Sequence, residues 1–162
     1  MTSTVISIVF AGLGGQGVIT VSDILAEAAF ADGYDVKKSD IHGMAQRGGS
    51  VKSDVRFGQL VHSPMIPLGE ADYLVVMESS QIDYAARFKR SAGVLISPDA
   101  VAPKELADKR SLNVALLGIL APYLAISTDA LECALLTRLR PEFRANSLKL
   151  FRQMGTRTRA LS

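Results

Sequence analysis

Three glycines, Gly12, Gly14 and Gly17, stand in the run GLGGQG immediately after the apolar stretch VISIVFA. At this G-x-G-x-x-G spacing, between a strand-like and a helix-like segment, glycine permits a tight turn and a close backbone approach. The exposed amides and the dipole of the helix start then attract an anion. That is phosphate chemistry of the kind a dinucleotide site uses. Such a site also places an acid about 20 residues on, at the end of the second strand, to hold the ribose. Here the corresponding region, VKKSD, offers Asp40, with Asp35 just before it. Two readings stand side by side: a phosphate loop, or a tight turn that packs a helix on a sheet and holds no nucleotide.

A second loop, IHGMAQRGGS from Ile41 to Ser50, carries Gly43, Gly48 and Gly49 together with Gln46 and Arg47. Gln46 brings an amide and Arg47 a permanently charged fork suited to a carboxylate or phosphate. In an open α/β sheet both loops would emerge at the carboxyl ends of the strands, where ligand crevices form, so they are expected to be neighbours. The plainer alternative is that Arg47 is an ordinary surface arginine.

Other chemistries are poorly supplied. Cys133 is the only cysteine, which excludes a disulfide framework and a four-cysteine iron-sulfur cradle. Its neighbours, DALECALLTRL, place it in an amphipathic helix as a buried small hydrophobe. His42 and His62 lack companions at metal-ligand spacing, so no metal site is expected. From Arg138 onward seven basic residues face one acid, Glu142; without interleaved aromatics this reads as a solvated helix face rather than a nucleic-acid surface. The longest apolar segment, Val114 to Ile126, is broken by Gly118 and Pro122 and falls short of the roughly 20 residues of a membrane span. With no secretory signal at the start, a cytoplasmic protein is expected.

The elements that must position the two loops follow from periodicity. TVISIVFA is a strand buried on both faces, VITVSDILAEAAFADG a helix stopping at Gly33, and YDVKKSD a second strand parallel to the first through a right-handed crossover. Val51, Ser53, Val55 and Phe57 alternate with Lys52, Asp54 and Arg56, as in a half-buried strand, and Gly58-Gln59 offers a hairpin turn into LVHSP. ADYLVVMES reads as a buried strand, SQIDYAARFKRSA as a surface helix ending at Gly93, and GVLISPD as a short strand. The last third is helical: a buried SLNVALLGILAPYL, then STDALECALLTRLR capped by Ser127 or Thr128, then PEFRANSLKLFRQMG ending at Gly155. The expected architecture is α/β, three-layered and Rossmann-like, mainly parallel with an antiparallel hairpin. At 162 residues and 48% hydrophobic, one domain over residues 1–162 is expected, with 156–162 a frayed tail.

GLGGQGVIT followed by SDIHGMAQRGGSVKSDVRFG closely resembles the beta subunits of indolepyruvate ferredoxin oxidoreductases. These are the stand-alone form of the gamma domain in 2-oxoacid:acceptor oxidoreductases. The resemblance extends through SPMIPLGEADYLVVMES and, more loosely, NVALLG and NSLKLFRQMG; the form HGMAQRGG points to the indolepyruvate branch. It implies oxidative decarboxylation of arylpyruvates to aryl-acyl-CoA, with CoA as co-substrate and electrons passing to ferredoxin. It also implies that thiamine diphosphate, Mg and [4Fe-4S] clusters reside on a larger alpha subunit, so that this chain is inactive alone and works in a hetero-oligomer. The chain itself has neither cluster ligands nor the Gly-Asp-Gly and Asn-Asn elements of a thiamine-diphosphate motif. Gly12, Gly14, Gly15, Gln16, Gly17, Gln46, Arg47, Gly48, Gly49 and Ser50 are then an anion- or partner-facing surface, with no catalytic residue here. The chain departs from the family pattern where AVAPKELADKRS alone fills a connection that in relatives includes a further strand and helix. The competing reading, resting on the first loop, is an independent Rossmann-type nucleotide-binding oxidoreductase or regulatory module; a third is a scaffold that binds no small ligand.

Overall fold

The computed structural model describes residues 4–43 and 48–161. Its central strand, β1 (Ile6–Leu13), is buried from residue 7 to residue 12, as a β-branched run covered on both faces must be. A glycine turn leads into α1 (Val18–Ala31), which lays Val21, Ile24, Leu25 and Ala28 on the sheet. Then follow β2 (Asp35–His42), β3 (Ser50–Gly58), β4 (Ala71–Val76), α2 (Ile82–Ala86), β5 (Lys89–Ile96), α3 (Leu112–Leu120), α4 (Thr128–Arg138) and α5 (Pro141–Leu161). The five strands lie in the order β2-β3-β1-β4-β5. β1, β4 and β5 are mutually parallel, while β3 runs antiparallel to both β1 and β2. Four strands therefore share one direction with β3 reversed among them, giving a mixed sheet of two parallel and two antiparallel ladders.

Helices α1, α3, α4 and α5 form a thick layer over one face, where Ile8, Phe10, Val55, Phe57 and Val75 meet Leu116, Leu117, Leu120, Leu135 and Phe151. The opposite face is thinner: Val9, Ala11, Leu74 and Val76 lie beneath Ile66 and Ala85. Among the described residues no helix is long and apolar enough to cross a membrane.

Several expectations are corrected. The hairpin forms not between β3 and LVHSP but between β2 and β3, with the second glycine loop as its connection. Pro64 and Pro67 cannot donate to a ladder, and the segment after Gly58 leaves the sheet to cap it: Val61 N donates to Asp35 (2.7 Å) and Arg56 to the carbonyl of Ser63 (3.0 Å). β2 keeps the direction expected of it, but β3 stands between it and β1. β3 is buried on both faces: Lys52 and Asp54 are 6% and 2% exposed and joined at 2.7 Å, with the Lys52 ammonium over the Phe88 ring.

The helix expected to reach Gly93 stops at Ala86, because the chain enters the sheet where Ala71 N donates to the Phe88 carbonyl (2.7 Å). Gly155 does not end α5, which continues to Leu161, so residues 156–161 are helical rather than frayed. It sits at a helix crossing instead. A Cβ there would lie 3.5 Å from the Gly118 carbonyl, and one on Gly118 only 2.7 Å from that of Phe151. Cys133 is exposed, not buried, because α4 turns Leu131, Ala134 and Leu135 inward.

Candidate functional site

The two glycine loops meet at the carboxyl end of β1. Leu13 faces Ser50 as the last pair of the β1–β3 ladder, and beyond it Gly14 N donates to the Gly49 carbonyl at 2.9 Å. Gly43 N donates to the Ser50 carbonyl at 2.8 Å, closing the base of the second loop. The expected neighbourhood of the loops is thus made by main-chain hydrogen bonds. Gly12, Gly14, Gly15, Gln16, Gly17, Gly48, Gly49 and Ser50 all lie here; Gln46 and Arg47 lie outside the described residues.

The side-chain amide of Gln16 is engaged within the chain. Its side-chain oxygen accepts from Leu13 N at 2.8 Å, and its Nε2 donates to Glu78 Oε2 at 3.0 Å, just past the end of β4. Gly12 leaves room for that side chain: a Cβ would stand 2.8 Å from Gln16 Oε1 and 2.9 Å from Val18 Cγ2. Gly17 precedes α1 in the left-handed region (φ 78°, ψ 27°), and its carbonyl accepts from Val21 N and from Asn113 Nδ2 at 3.3 Å. A Cβ there would lie 2.2 Å from Asn113 Nδ2. The protein's own packing therefore accounts for Gly12 and Gly17, with no pyrophosphate needed to explain them.

Two clefts flank the first loop. One, of about 350 Å³, is lined by Leu13, Gly14, Gly15, Gly17, Thr20 and His42 among others; the other, of about 220 Å³, by Gly15, Gln16, Met77, Lys109, Arg110 and Leu112. The first turn of α1 contains no acid, so the positive end of its dipole is not opposed there. Sequence reasoning missed Glu78, Asn113, Lys109 and Arg110. The basic pair sits on the short connection AVAPKELADKRS, whose length was the available signal. Arg110 is held by Asp108 at 2.8 Å, and its side-chain and backbone hydrogen bonds keep the Asp108 carboxyl below its ordinary pKa.

The acids that a ribose would need are engaged elsewhere. Asp35 lies at the start of β2 and accepts from Val61 N. Asp40 accepts from Ser53 Oγ at 2.6 Å and from Lys38. Burial pushes the Asp40 carboxyl up, but the hydrogen bonds from Lys38 and Ser53 outweigh it and hold the pKa below the ordinary value. The intervening β3 also sets Asp40 two strand spacings, about 10 Å, from β1.

The C-terminal arginines pair within the chain: Arg138 with Glu27 (2.6 Å), Arg152 with Glu132 (2.7 Å) and Arg157 with Glu105 (2.6 Å). Among the described residues no three of His, Cys, Asp and Glu are grouped to hold a metal ion. With one cysteine in the sequence, the donor set does not fit an iron-sulfur cluster.

Residues 7–154 match the family model described as pyruvate ferredoxin/flavodoxin oxidoreductase. The chain is 40% identical over 99 residues to indolepyruvate oxidoreductase subunit IorB of Archaeoglobus fulgidus, covering 60% of this chain and 49% of that protein. It thus spans about half the length of the curated relatives it matches. The fold is similar to that of the gamma subunit of a keto/oxoacid ferredoxin oxidoreductase from Geobacter sulfurreducens (TM-score 0.80, 23% identity, 97% of this chain and 98% of that one). It is also similar to part of the 2-oxoglutarate:ferredoxin oxidoreductase of Magnetococcus marinus solved with 2-oxoglutarate, coenzyme A and succinyl-CoA bound (TM-score 0.77, 19% identity, 98% of this chain and 32% of that one).

Proposed function

The chain belongs to the pyruvate ferredoxin/flavodoxin oxidoreductase family, and from that premise we propose that it is the non-redox subunit of a cytoplasmic 2-oxoacid:ferredoxin oxidoreductase. The reaction is the oxidative decarboxylation of indolepyruvate and related arylpyruvates to aryl-acyl-CoA, with ferredoxin as electron acceptor. The 40% identity to an indolepyruvate oxidoreductase subunit supports that substrate branch. Thiamine diphosphate with Mg and the [4Fe-4S] clusters supply the decarboxylation and electron transfer when bound to the alpha subunit. This chain serves as one gamma-type domain whose two-loop face engages that subunit and borders the passage of CoA.

The observation that carries the proposal is the joining of the first loop to the end of the second through Gly14 N and the Gly49 carbonyl. The surface so formed, adjoined by Lys109 and Arg110 and by the start of α1, is suited to a partner or an anionic co-substrate. An independent dinucleotide enzyme is disfavoured by the engagement of Asp35 and Asp40 and by the interposed β3.

The test is reconstitution. Co-purification with a thiamine-dependent alpha subunit, and arylpyruvate-dependent ferredoxin reduction only on mixing, is expected; full activity of the alpha subunit alone would overturn the proposal. Calorimetric titration of the isolated chain with NAD, NADP, FAD and CoA addresses the competing function, since tight NAD or FAD binding without a partner would establish it.

A further inference from the structure

Gln16 sits in the middle of the first glycine loop, where a polar side chain would ordinarily be assigned to the ligand or partner. Its three polar connections say otherwise. The amide oxygen accepts from Leu13 N at 2.8 Å, the amide nitrogen donates to Glu78 Oε2 at 3.0 Å, and its own backbone N–H donates to the Leu13 carbonyl at 3.2 Å. The side chain thus closes the turn on itself and bolts it to a residue 62 positions away, beyond the end of β4. β1 and β4 are parallel neighbours, and Met77 N donates to the Ala11 carbonyl at 2.8 Å, so Glu78 is delivered to this point by the sheet. Gly12 supplies the space, because a Cβ there would approach Gln16 Oε1 to 2.8 Å and Met77 Cβ to 3.2 Å.

We infer that Gln16 is a positioning residue: its amide is engaged within the chain, by Leu13 and Glu78, and with Glu78 it fixes the first loop to the end of β4 and so sets how the two glycine loops present a common face. For the identity of the partner this rests on the function proposed above; the lock itself is a property of the free chain.

The inference is tested by exchanging the two partners. In Q16E two carboxylates face each other, and the hydrogen bond to Glu78 is lost. In the double variant Q16E/E78Q the carboxylate at 16 still accepts from Leu13 N and now also accepts from the new amide at 78, so the link to position 78 returns with its donor reversed. E78A releases Gln16 without changing any residue of the loop. Amide hydrogen exchange of Leu13 in the free chain is expected to quicken about ten-fold in Q16E and in E78A, and to return to within about three-fold of wild type in the double variant. Far-UV circular dichroism confirms that each variant is folded, and affinity for the alpha subunit is expected to follow the same order.

A direct contact role for Gln16 predicts the reverse: E78A behaves like wild type in both readouts, and Q16E/E78Q stays as defective as Q16E. Either result overturns the inference. Should the wild-type chain fail to bind the alpha subunit, the proposed function falls, and the exchange measurement still decides the lock.

Discussion

Replacing Gly17 with alanine tests how α1 is hung beside the loop. Gly17 adopts φ 78° and ψ 27°, and a Cβ would lie 2.2 Å from Asn113 Nδ2 and 3.0 Å from its Cγ. An L-residue in the left-handed region costs about 1–2 kcal/mol. Displacing Asn113 also breaks its hydrogen bond to the Gly17 carbonyl, worth about 1 kcal/mol net, at a residue that is only 7% exposed. The sum is a loss of roughly 2–3 kcal/mol, read in urea as a lower midpoint at unchanged slope. Asn113→Ala relieves the collision, since its Cβ would stand 3.6 Å from the new methyl. The double variant should therefore cost less than the sum of the two single variants, by about 1 kcal/mol or more. A Gly17→Ala midpoint shift worth less than about 0.5 kcal/mol, or strict additivity, would refute the account of this turn.

Other expectations can be checked with the same material. Lys52→Met leaves Asp54, 2% exposed, without its cation, and is expected to destabilise by roughly 3–5 kcal/mol in urea unfolding. Asp40, with its folded pKa below the ordinary value, contributes stability that is present above the unfolded pKa of about 4 and lost as pH falls through the folded pKa. Asp40→Asn should accordingly flatten the stability profile below about pH 4 relative to wild type. Cys133, exposed on α4, should react with a thiol reagent in the native state at one equivalent per chain; protection until denaturant is added would contradict the orientation of that helix.

How much of this could be read from sequence follows from the range of the interactions. β1, the glycine turn and α1 are consecutive, and their burial, turn and period are local properties, so they were legible. The place of β3 was not: alternation in Ser50–Gly58 marks a strand but not its neighbours, and burying Lys52 and Asp54 depends on Ile66 folding back onto Asp54 and on the Phe88 ring lying against Lys52. Gly155 looks like a helix stop in one dimension and is a contact glycine against Gly118 in three. The same limit applies to the site. Spacing put both loops at one end of the sheet, and they meet there. It could not show that Gln16 turns toward Glu78, or that Asp40 is claimed by Lys38 and Ser53. GLGGQG keeps the spacing of a dinucleotide fingerprint while its outer glycines serve packing within the chain.

The claim that the joined loops form the partner-facing surface is tested most directly by hydrogen exchange of the chain alone and in complex with the alpha subunit. Amides around residues 12–17 and 48–50 are expected to gain protection on complex formation, while those of α4 stay unchanged. A stable complex in which both loops exchange as they do in the free chain would contradict it.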